Sequence, residues 1–225
     1  MNLYGHPWSI NTRKTLLTLA EKAAEARLVL VMIPHGEQKR PEHLQLHPFG
    51  KVPVLDDDDF VLYEVRAINR YLDTRLAGPR LVPEAPRERA RMDQWISVAD
   101  SYFVPFAHSL IVERLFRRFL GGDQDAAAIA SGRAGIEPAL DAIDRALATQ
   151  PFLAGQTFSL ADIHWMPYFE YLTRIGESEP IERRANLRRW WAESSERPSW
   201  RRVARTGPQP DDPGVRADDI AKLYR

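Results

Sequence analysis

The first third of the chain alternates between the apolar patterns of strands and of helices. Residues 1–4 alternate in polarity as a short strand does, and apolar residues from 10 to 24 recur at helical spacing. Residues 28–33 form a continuous apolar run, which predicts a strand that is covered on both faces. Strand, helix and strand in this order predict a βαβ unit with a right-handed crossover.

Residues 47–68 combine a fixed proline, a hairpin and the start of a helix. The runs 52–55 and 60–63 are β-prone, and the aspartates between them at 56–59 predict a hairpin. Pro53 donates no ladder hydrogen bond, so its end of the run is an edge, a strand start or a special turn. A cis bond before Pro53 would expose the backbone of Val52 to a ligand.

Helical patterns alone fill the chain after a proline-rich linker at residues 78–88. Apolar stripes cover residues 92–110 and 136–147, and Ser159 with Asp162 forms a capping box that opens another helix. The order βαβ, then ββα, then helices predicts two domains. They are an α/β thioredoxin-like domain at residues 1–77 and an all-α helical domain at 89–225, which ends in a proline-rich tail from 207.

Composition narrows the classes of function. The chain has 31 acidic and 31 basic residues, so no net field draws it to nucleic acid or to anionic lipid. It has no cysteine, which excludes disulfides, thiolate metal sites and a cysteine nucleophile. The histidines lack metal-binding spacing, so we expect no metal. The apolar runs are too short for a membrane span and the start lacks a secretory signal, so we expect a cytoplasmic protein.

Four short motifs point to one family. They are PWSINTRK at residues 7–14, HPFGKVPVL at 47–55, YEVRAI at 63–68 and FSLADI at 158–163. Their order and spacing, together with the two predicted domains, resemble the glutathione S-transferases. The sequence around Ser9 resembles the serine-type enzymes of the phi class within that family. The resemblance implies a transferase that joins the glutathione thiolate to a hydrophobic electrophile.

Ser9 is the candidate catalytic residue. Attack on an electrophile needs a thiolate, yet a free thiol has a pKa near ~8.5 and is mostly protonated at neutral pH. Lowering that pKa by about two units takes ~2.7 kcal/mol, the size of one charge-assisted hydrogen bond plus a helix N-terminus. Ser9 stands just before the first predicted helix, where its hydroxyl would donate to the sulfur rather than attack. The simpler alternative is that Ser9 only caps the helix.

The resemblance also implies the residues that bind glutathione. Lys39 and Lys51 would reach the glycyl carboxylate, although solvated surface charges are the alternative for both. Val52 would pair with the cysteinyl backbone as an added strand does. Glu64 would accept from the γ-glutamyl ammonium, or it is simply a carboxylate that a helix start favours. The complete set is Gln38, Lys39, Lys51, Val52, Pro53, Glu64 and Val65.

Val65 departs from the family pattern, which usually has a serine there that helps to hold the γ-glutamyl carboxylate. Valine keeps the backbone N–H but has no hydroxyl, and a hydrogen bond to a charged group is worth about 1.5–3 kcal/mol. We therefore expect glutathione to bind roughly ten- to a hundredfold more weakly than in a serine-bearing relative. The substitution keeps open a non-catalytic ligand carrier or an interaction module of this fold, and a glutathione-dependent lyase or isomerase is also open.

The electrophile pocket and the partners follow from position alone. Pro7 and Trp8 would form one wall of the pocket, and Tyr102 and Phe106 another, although a helical aromatic stripe is also typical of a plain core. Phe49 occupies the position at which some serine-type relatives present an aromatic dimer key, so the resemblance implies a homodimer. The alternative is a turn aromatic that packs within its own chain. We expect glutathione and a hydrophobic small molecule as ligands, with no nucleic acid or membrane partner.

Overall fold

The computed structural model describes residues 1–120, 122–204, 209, 210, 216, 218 and 219. The chain divides into two compact units, one made of Met1–Pro79 with Pro198–Arg225 and the other of Arg80–Arg197. In chain order the strands and helices are β1 (Asn2–Gly5), α1 (Ile10–Glu21), β2 (Arg27–Leu30), α2 (Pro41–Leu46), β3 (Val54–Asp57), β4 (Phe60–Tyr63), α3 (Val65–Arg75), α4 (Pro86–Val98), α5 (Val104–Ile111), α6 (Arg117–Leu120), α7 (Ala126–Leu147), α8 (Leu160–Arg174), α9 (Glu179–Glu182), α10 (Ala185–Ser195) and α11 (Pro198–Ala204).

The first unit contains one four-stranded sheet in the order β2-β1-β3-β4. β1 is parallel to β2, and β3 is antiparallel to both β1 and β4. This arrangement confirms the predicted thioredoxin-like order of elements. Apolar residues of the sheet, α1 and α3 share one core, formed by Leu3, Leu19, Leu55, Ile68 and Leu72.

Two strand predictions are wrong in detail. β2 ends at Leu30 and lies at the edge of the sheet with half-buried side chains, so it is not a strand covered on both faces. The hairpin connection is also shorter than predicted, because only Asp58 and Asp59 separate β3 from β4. Asp57 remains in β3, where it is buried and accepts a hydrogen bond of 2.7 Å from the hydroxyl of Tyr71. That bond ties the hairpin to α3.

The last helix, α11, clusters with the first unit, whereas the sequence analysis placed it in the helical domain. Trp200 and Val203 give it a buried apolar face, and α11 packs against α1. A hydrogen bond between the hydroxyl of Ser199 and the carboxylate of Glu21 joins the same two helices. The packing of α11 is therefore a tertiary feature of the first unit.

Helices are the only regular elements among the described residues of the second unit, apart from an isolated bridge between Phe152 and Gly155. π-helical segments at Ala99–Phe103 and Val112–Phe116 interrupt the run from α4 to α6, so the long predicted helix is not uniform. α5 and α7 approach closely at Gly132, where a Cβ would lie 2.9 Å from the Cβ of Leu110. A cluster of buried aromatic rings fills the interior, formed by Phe103, Trp165, Phe169 and Trp190.

The helical run Pro86–Phe116 is long and apolar enough to cross a membrane by length and composition alone. Several of its apolar residues lie in the core of the second unit, including Met92, Ala99, Phe103 and Leu110. Core helices of soluble proteins meet the same criterion. Their burial accounts for part of the apolar composition of the run.

Candidate functional site

Three of the predicted site segments meet at one end of the sheet. Val54 at the start of β3 pairs with Tyr4 near the end of β1 and with Tyr63 at the end of β4. Because these strands terminate at the same end of the sheet, the loop after β1, the residues before β3 and the start of α3 are neighbours. Candidate residues predicted from the sequence lie on each of these segments.

Ser9 is the N-cap of α1. Its backbone is extended, and its Oγ accepts a hydrogen bond of 3.3 Å from the N–H of Thr12. A hydroxyl that accepts through a lone pair still has a hydrogen to donate, and that hydrogen is bound to no acceptor in the described part of the chain. The first turn of α1 contains no acidic residue, so the helix N-terminus favours a nearby anion. Capping and donation to a sulfur are thus compatible roles for Ser9.

His6, in the same loop, is neutral at pH 7. It is 1% exposed, and its Nδ1 accepts from the N–H of Trp8 at 3.1 Å, which places the proton on Nε2. Burial, and then the positive charge of Arg13, lower the pKa of His6 to about 4. The Nε2 has no hydrogen-bond partner among the described residues. His6 can therefore donate a hydrogen bond to the site but adds no charge to it.

Gly50 brings the segment that carries Gln38 and Lys39 against the HPFGK turn. Its φ of 56° lies in the left-handed region, and a Cβ there would lie 2.6 Å from the carbonyl oxygen of Gln38. The Nζ of Lys39 donates to the carbonyl of Phe49 at 2.9 Å, so this lysine already binds the turn. The Oε1 of Gln38 is buried without a partner in the described residues. The structure thus places the two residues against the turn that precedes Lys51.

Lys51, Val52 and Pro53 immediately precede β3, and all three are predicted to bind glutathione. The peptide bond between Val52 and Pro53 is cis. The carbonyl of Lys51 accepts from the Nε2 of His43 at 2.7 Å, while the side chain of Lys51 is exposed. Pro53 is buried and Val52 is half-buried, just outside β3.

Glu64 is the N-cap of α3 and has a left-handed backbone. Its φ of 73° costs a non-glycine residue roughly 1–3 kcal/mol, and such strain is concentrated at functional sites. The side chain of Glu64 makes no capping hydrogen bond and is exposed. Burial lowers the pKa of His47, and the negative charge of Glu64 opposes that shift. Val65 begins α3, so its N–H lies at the positive end of the helix.

The residues predicted to line the electrophile pocket differ in exposure. Pro7 and Trp8 are buried, and the Trp8 ring packs edge-on against His6 with centroids 5.3 Å apart. Tyr102 is exposed, and the Phe106 ring lies where a Cβ on Gly135 would be, 2.1 Å from its Cδ1. Phe106 therefore packs on α7 within its own unit.

Arg13 of α1 contacts this loop, and its role there was not predicted from the sequence. Arg13 is fully buried, and its Nε donates to the carbonyl of Pro7 at 2.8 Å. One signal was available: Arg13 lies four residues before Leu17 and so shares the apolar face of α1. A charged residue within an apolar stripe indicates a buried, hydrogen-bonded charge.

Comparison with known proteins gives matches over most of the chain. Residues 1–74 match the family described as glutathione S-transferase, N-terminal domain, and residues 102–198 match its C-terminal domain. Glutathione S-transferase F12 of Arabidopsis thaliana is 35% identical over 206 residues, which cover 90% of this chain and 96% of that protein.

Solved structures agree with these matches. Glutathione transferase F2 from Populus trichocarpa superimposes with a TM-score of 0.85 at 32% identity, covering 90% of this chain and 96% of that one. Glutathione S-transferase I from mais, in complex with an atrazine glutathione conjugate, gives a TM-score of 0.85 at 28% identity, covering 95% of this chain and 99% of that one.

Proposed function

The chain belongs to the glutathione S-transferase family, and on that premise we propose that it conjugates the thiolate of glutathione to a hydrophobic electrophile, with Ser9 stabilising the thiolate. Its relatives of the phi class carry the transferase name, and none of those named above supports the carrier or interaction-module alternatives. Glutathione is the co-substrate in this reaction.

The observation that carries the proposal is the environment of Ser9. The hydroxyl caps α1 with a lone pair and keeps its hydrogen, at a helix end without acidic residues. A donor and a helix dipole aimed at one sulfur supply the stabilisation that an ionised thiol requires at neutral pH. Neutral His6 does not compete for the proton that the thiol loses.

The mode of glutathione binding is part of the same proposal. The γ-glutamyl carboxylate would lie at the start of α3, and Glu64 would accept from the adjacent ammonium group. The cysteinyl backbone would pair with Val52 in front of β3. Lys39 and Lys51 would face the glycyl carboxylate, a role that the exposed side chains of both lysines permit. Pro7 and Trp8 would form one wall of the electrophile pocket. Tyr102 and Phe106 of the helical unit are the candidates for another wall.

Conjugation of glutathione to chlorodinitrobenzene tests the role of Ser9. Ser9→Gly removes the hydroxyl, yet glycine costs an N-cap position only a few tenths of a kcal/mol, so the helix start is preserved. Loss of a hydrogen bond to a charged sulfur should lower turnover by about ten- to a hundredfold. Ser9→Thr, which keeps a hydroxyl, should retain much more activity. Equal turnover in the Ser9→Gly variant and the unaltered chain would refute the proposed role.

Three further features stay proposals. We propose a cytoplasmic location and a two-fold homodimer. We also propose that residues 1–77 bind glutathione, while helices after the linker at 78–88 contribute the electrophile side. Limited proteolysis at the linker would test the boundary, because cleavage there should release two fragments of the sizes that these limits predict.

A further inference from the structure

Arg13 is a charged side chain in the interior of the first unit. It is 0% exposed, its Nε donates to the carbonyl of Pro7 at 2.8 Å, and its Nη2 donates to the Oε1 of Gln209 at 2.7 Å. Burying a guanidinium costs free energy unless its donors are bound, and the planar fork of arginine can hold two acceptors at once. Arg13 therefore links the loop after β1 to the C-terminal segment beyond α11.

Two hydrogen bonds connect Arg13 to the backbone around Ser9. The Arg13 side chain holds the carbonyl of Pro7, two positions before Ser9, and the Arg13 N–H holds the carbonyl of Ser9 at 2.9 Å. Between these points the N–H of Ser9 donates to the carbonyl of His6 at 2.8 Å. The direction of the Ser9 hydroxyl depends on this backbone, and so it depends on where the Arg13 side chain lies.

Gln209 supports the outer side of Arg13. It is buried, as is its neighbour Pro210, and it is 196 positions away from Arg13 in the sequence. A buried contact between such distant positions fixes both partners, because neither side chain can leave without exposing a polar group to an unmatched environment.

The charge of Arg13 also acts at the loop. It contributes to the lowered pKa of His6, after burial. A positive charge that disfavours an imidazolium favours an anion at a nearby position. The field of Arg13 thus has the sign that a bound thiolate needs.

We propose that Arg13 is a positioning residue that orients the Ser9 hydroxyl toward the glutathione sulfur, and that Gln209 holds Arg13 in that arrangement. The inference rests on the proposed function, because it concerns the ionisation of bound glutathione. Through this link the C-terminal segment sets how much of the bound thiol is ionised. Neither residue contacts the reacting atoms, so both act through Ser9.

Two variants test this link in the full-length protein. Arg13→Lys keeps the charge but loses the fork that binds Pro7 and Gln209 together, and Gln209→Ala removes the outer acceptor alone. The ultraviolet absorbance of the thiolate, followed against pH, reports the ionised fraction of bound glutathione. We expect either variant to lower that fraction and kcat at pH 7 by about three- to tenfold, with the KM for glutathione within about twofold. Gln209→Glu keeps an acceptor, so it should leave the ionised fraction and kcat close to those of the unaltered chain.

Gln94→Ala is the matched control. It removes a comparable arginine–glutamine bond, from Arg91 to Gln94 at 3.0 Å, on an exposed face of α4. This variant should titrate as the unaltered chain does. If the unaltered chain shows no thiolate with glutathione, the proposed function and this inference are both overturned. If it does, and folded Gln209→Ala and Arg13→Lys titrate identically to it, only this inference fails. Should Arg13→Lys not fold, Gln209→Ala decides the outcome.

Discussion

Single residues at the proposed glutathione site can combine structural and chemical roles. Ser9 caps α1 and still has a hydrogen to donate, so capping and the proposed catalytic role are compatible in the same side chain. Val65 shows the reverse, because it fills the first position of α3 with an apolar side chain that has no group to donate. The chemistry of the site therefore depends on which polar atoms are not already engaged in the hydrogen bonds that hold the fold.

Val65→Ser should strengthen glutathione binding. The new hydroxyl lies at the start of α3, where it can donate to the γ-glutamyl carboxylate, and such a bond is worth about 1.5–3 kcal/mol. We expect the dissociation constant from calorimetry to fall by roughly ten- to a hundredfold. Val61→Ser, on the exposed part of β4, is the control and should leave the affinity unchanged. Equal affinity for the Val65→Ser variant and the unaltered chain would show that another group already holds the carboxylate.

His6 should make the protein less stable as the pH falls below 6.5. The unfolded side chain binds a proton near its usual pKa of 6.5, whereas the folded one stays neutral down to about 4. In this window the unfolded state binds more protons, so the free energy of unfolding falls by up to about 1.4 kcal/mol per pH unit. Urea unfolding at pH 7 and pH 5 should therefore give a smaller difference for His6→Gln.

The exposed His108 of α5 provides the control for that measurement. His108→Gln should retain the full loss of stability between pH 7 and pH 5. A loss that is just as large in the His6→Gln variant would mean that His6 gains its proton as readily in the folded chain as in the unfolded one.

Sequence patterns identify candidate residues but not the distant partners that their side chains contact. The types and order of residues around Ser9 and Pro53 name the proposed site segments, because those patterns are local. Arg13 was missed because its environment includes Gln209, which no local pattern connects to it. The same reason explains why the contact of Lys39 with the carbonyl of Phe49 was not predicted.

At the scale of elements, local signals predicted the start of α8 well. Ser159 and Asp162 form the capping box, and the carboxylate of Asp162 also accepts from the N–H of Leu153 and from the Nε1 of Trp190. Burial raises the pKa of Asp162, while these hydrogen bonds oppose the shift. The edge position of β2 was not predictable in this way, because an apolar run does not reveal how many strands pair with it.

Asp162→Ala should destabilise the protein far more than an ordinary loss of an N-cap. It leaves the N–H groups of Leu153 and Ser159 and the indole of Trp190 without their acceptor, and each buried unpaired donor costs about 1–3 kcal/mol. We expect a loss of about 3–5 kcal/mol in urea unfolding. Asp125→Ala, which removes the exposed cap of α7, should cost about 1 kcal/mol. Similar losses in the two variants would contradict the buried network.

At the scale of the whole molecule, the order of elements predicted the fold class, because strand order and crossover hand leave few arrangements. The place of α11 was not predictable, since it follows the helices of the second unit in sequence but packs on α1 of the first. Only the buried face formed by Trp200 and Val203 decides that assignment, and its partner is almost the full length of the chain away.

Assembly is the remaining prediction at this scale, and Phe49 is its test. Phe49 is 64% exposed, which is unusual for a phenylalanine, and its ring packs edge-on against His47 and Tyr63 with centroids 6.1 and 6.4 Å apart. If the chain forms a two-fold dimer keyed by Phe49, the interface buries two copies of this ring. Truncating a buried aromatic anchor costs about 2 kcal/mol or more, so Phe49→Ala should raise the dimer dissociation constant at least about thirtyfold. Light scattering over a range of concentrations measures this constant, with Phe60→Ala as the control because Phe60 is 48% exposed on β4. An unaltered chain that is monomeric at every concentration, or equal shifts in the two variants, would remove the key role from Phe49.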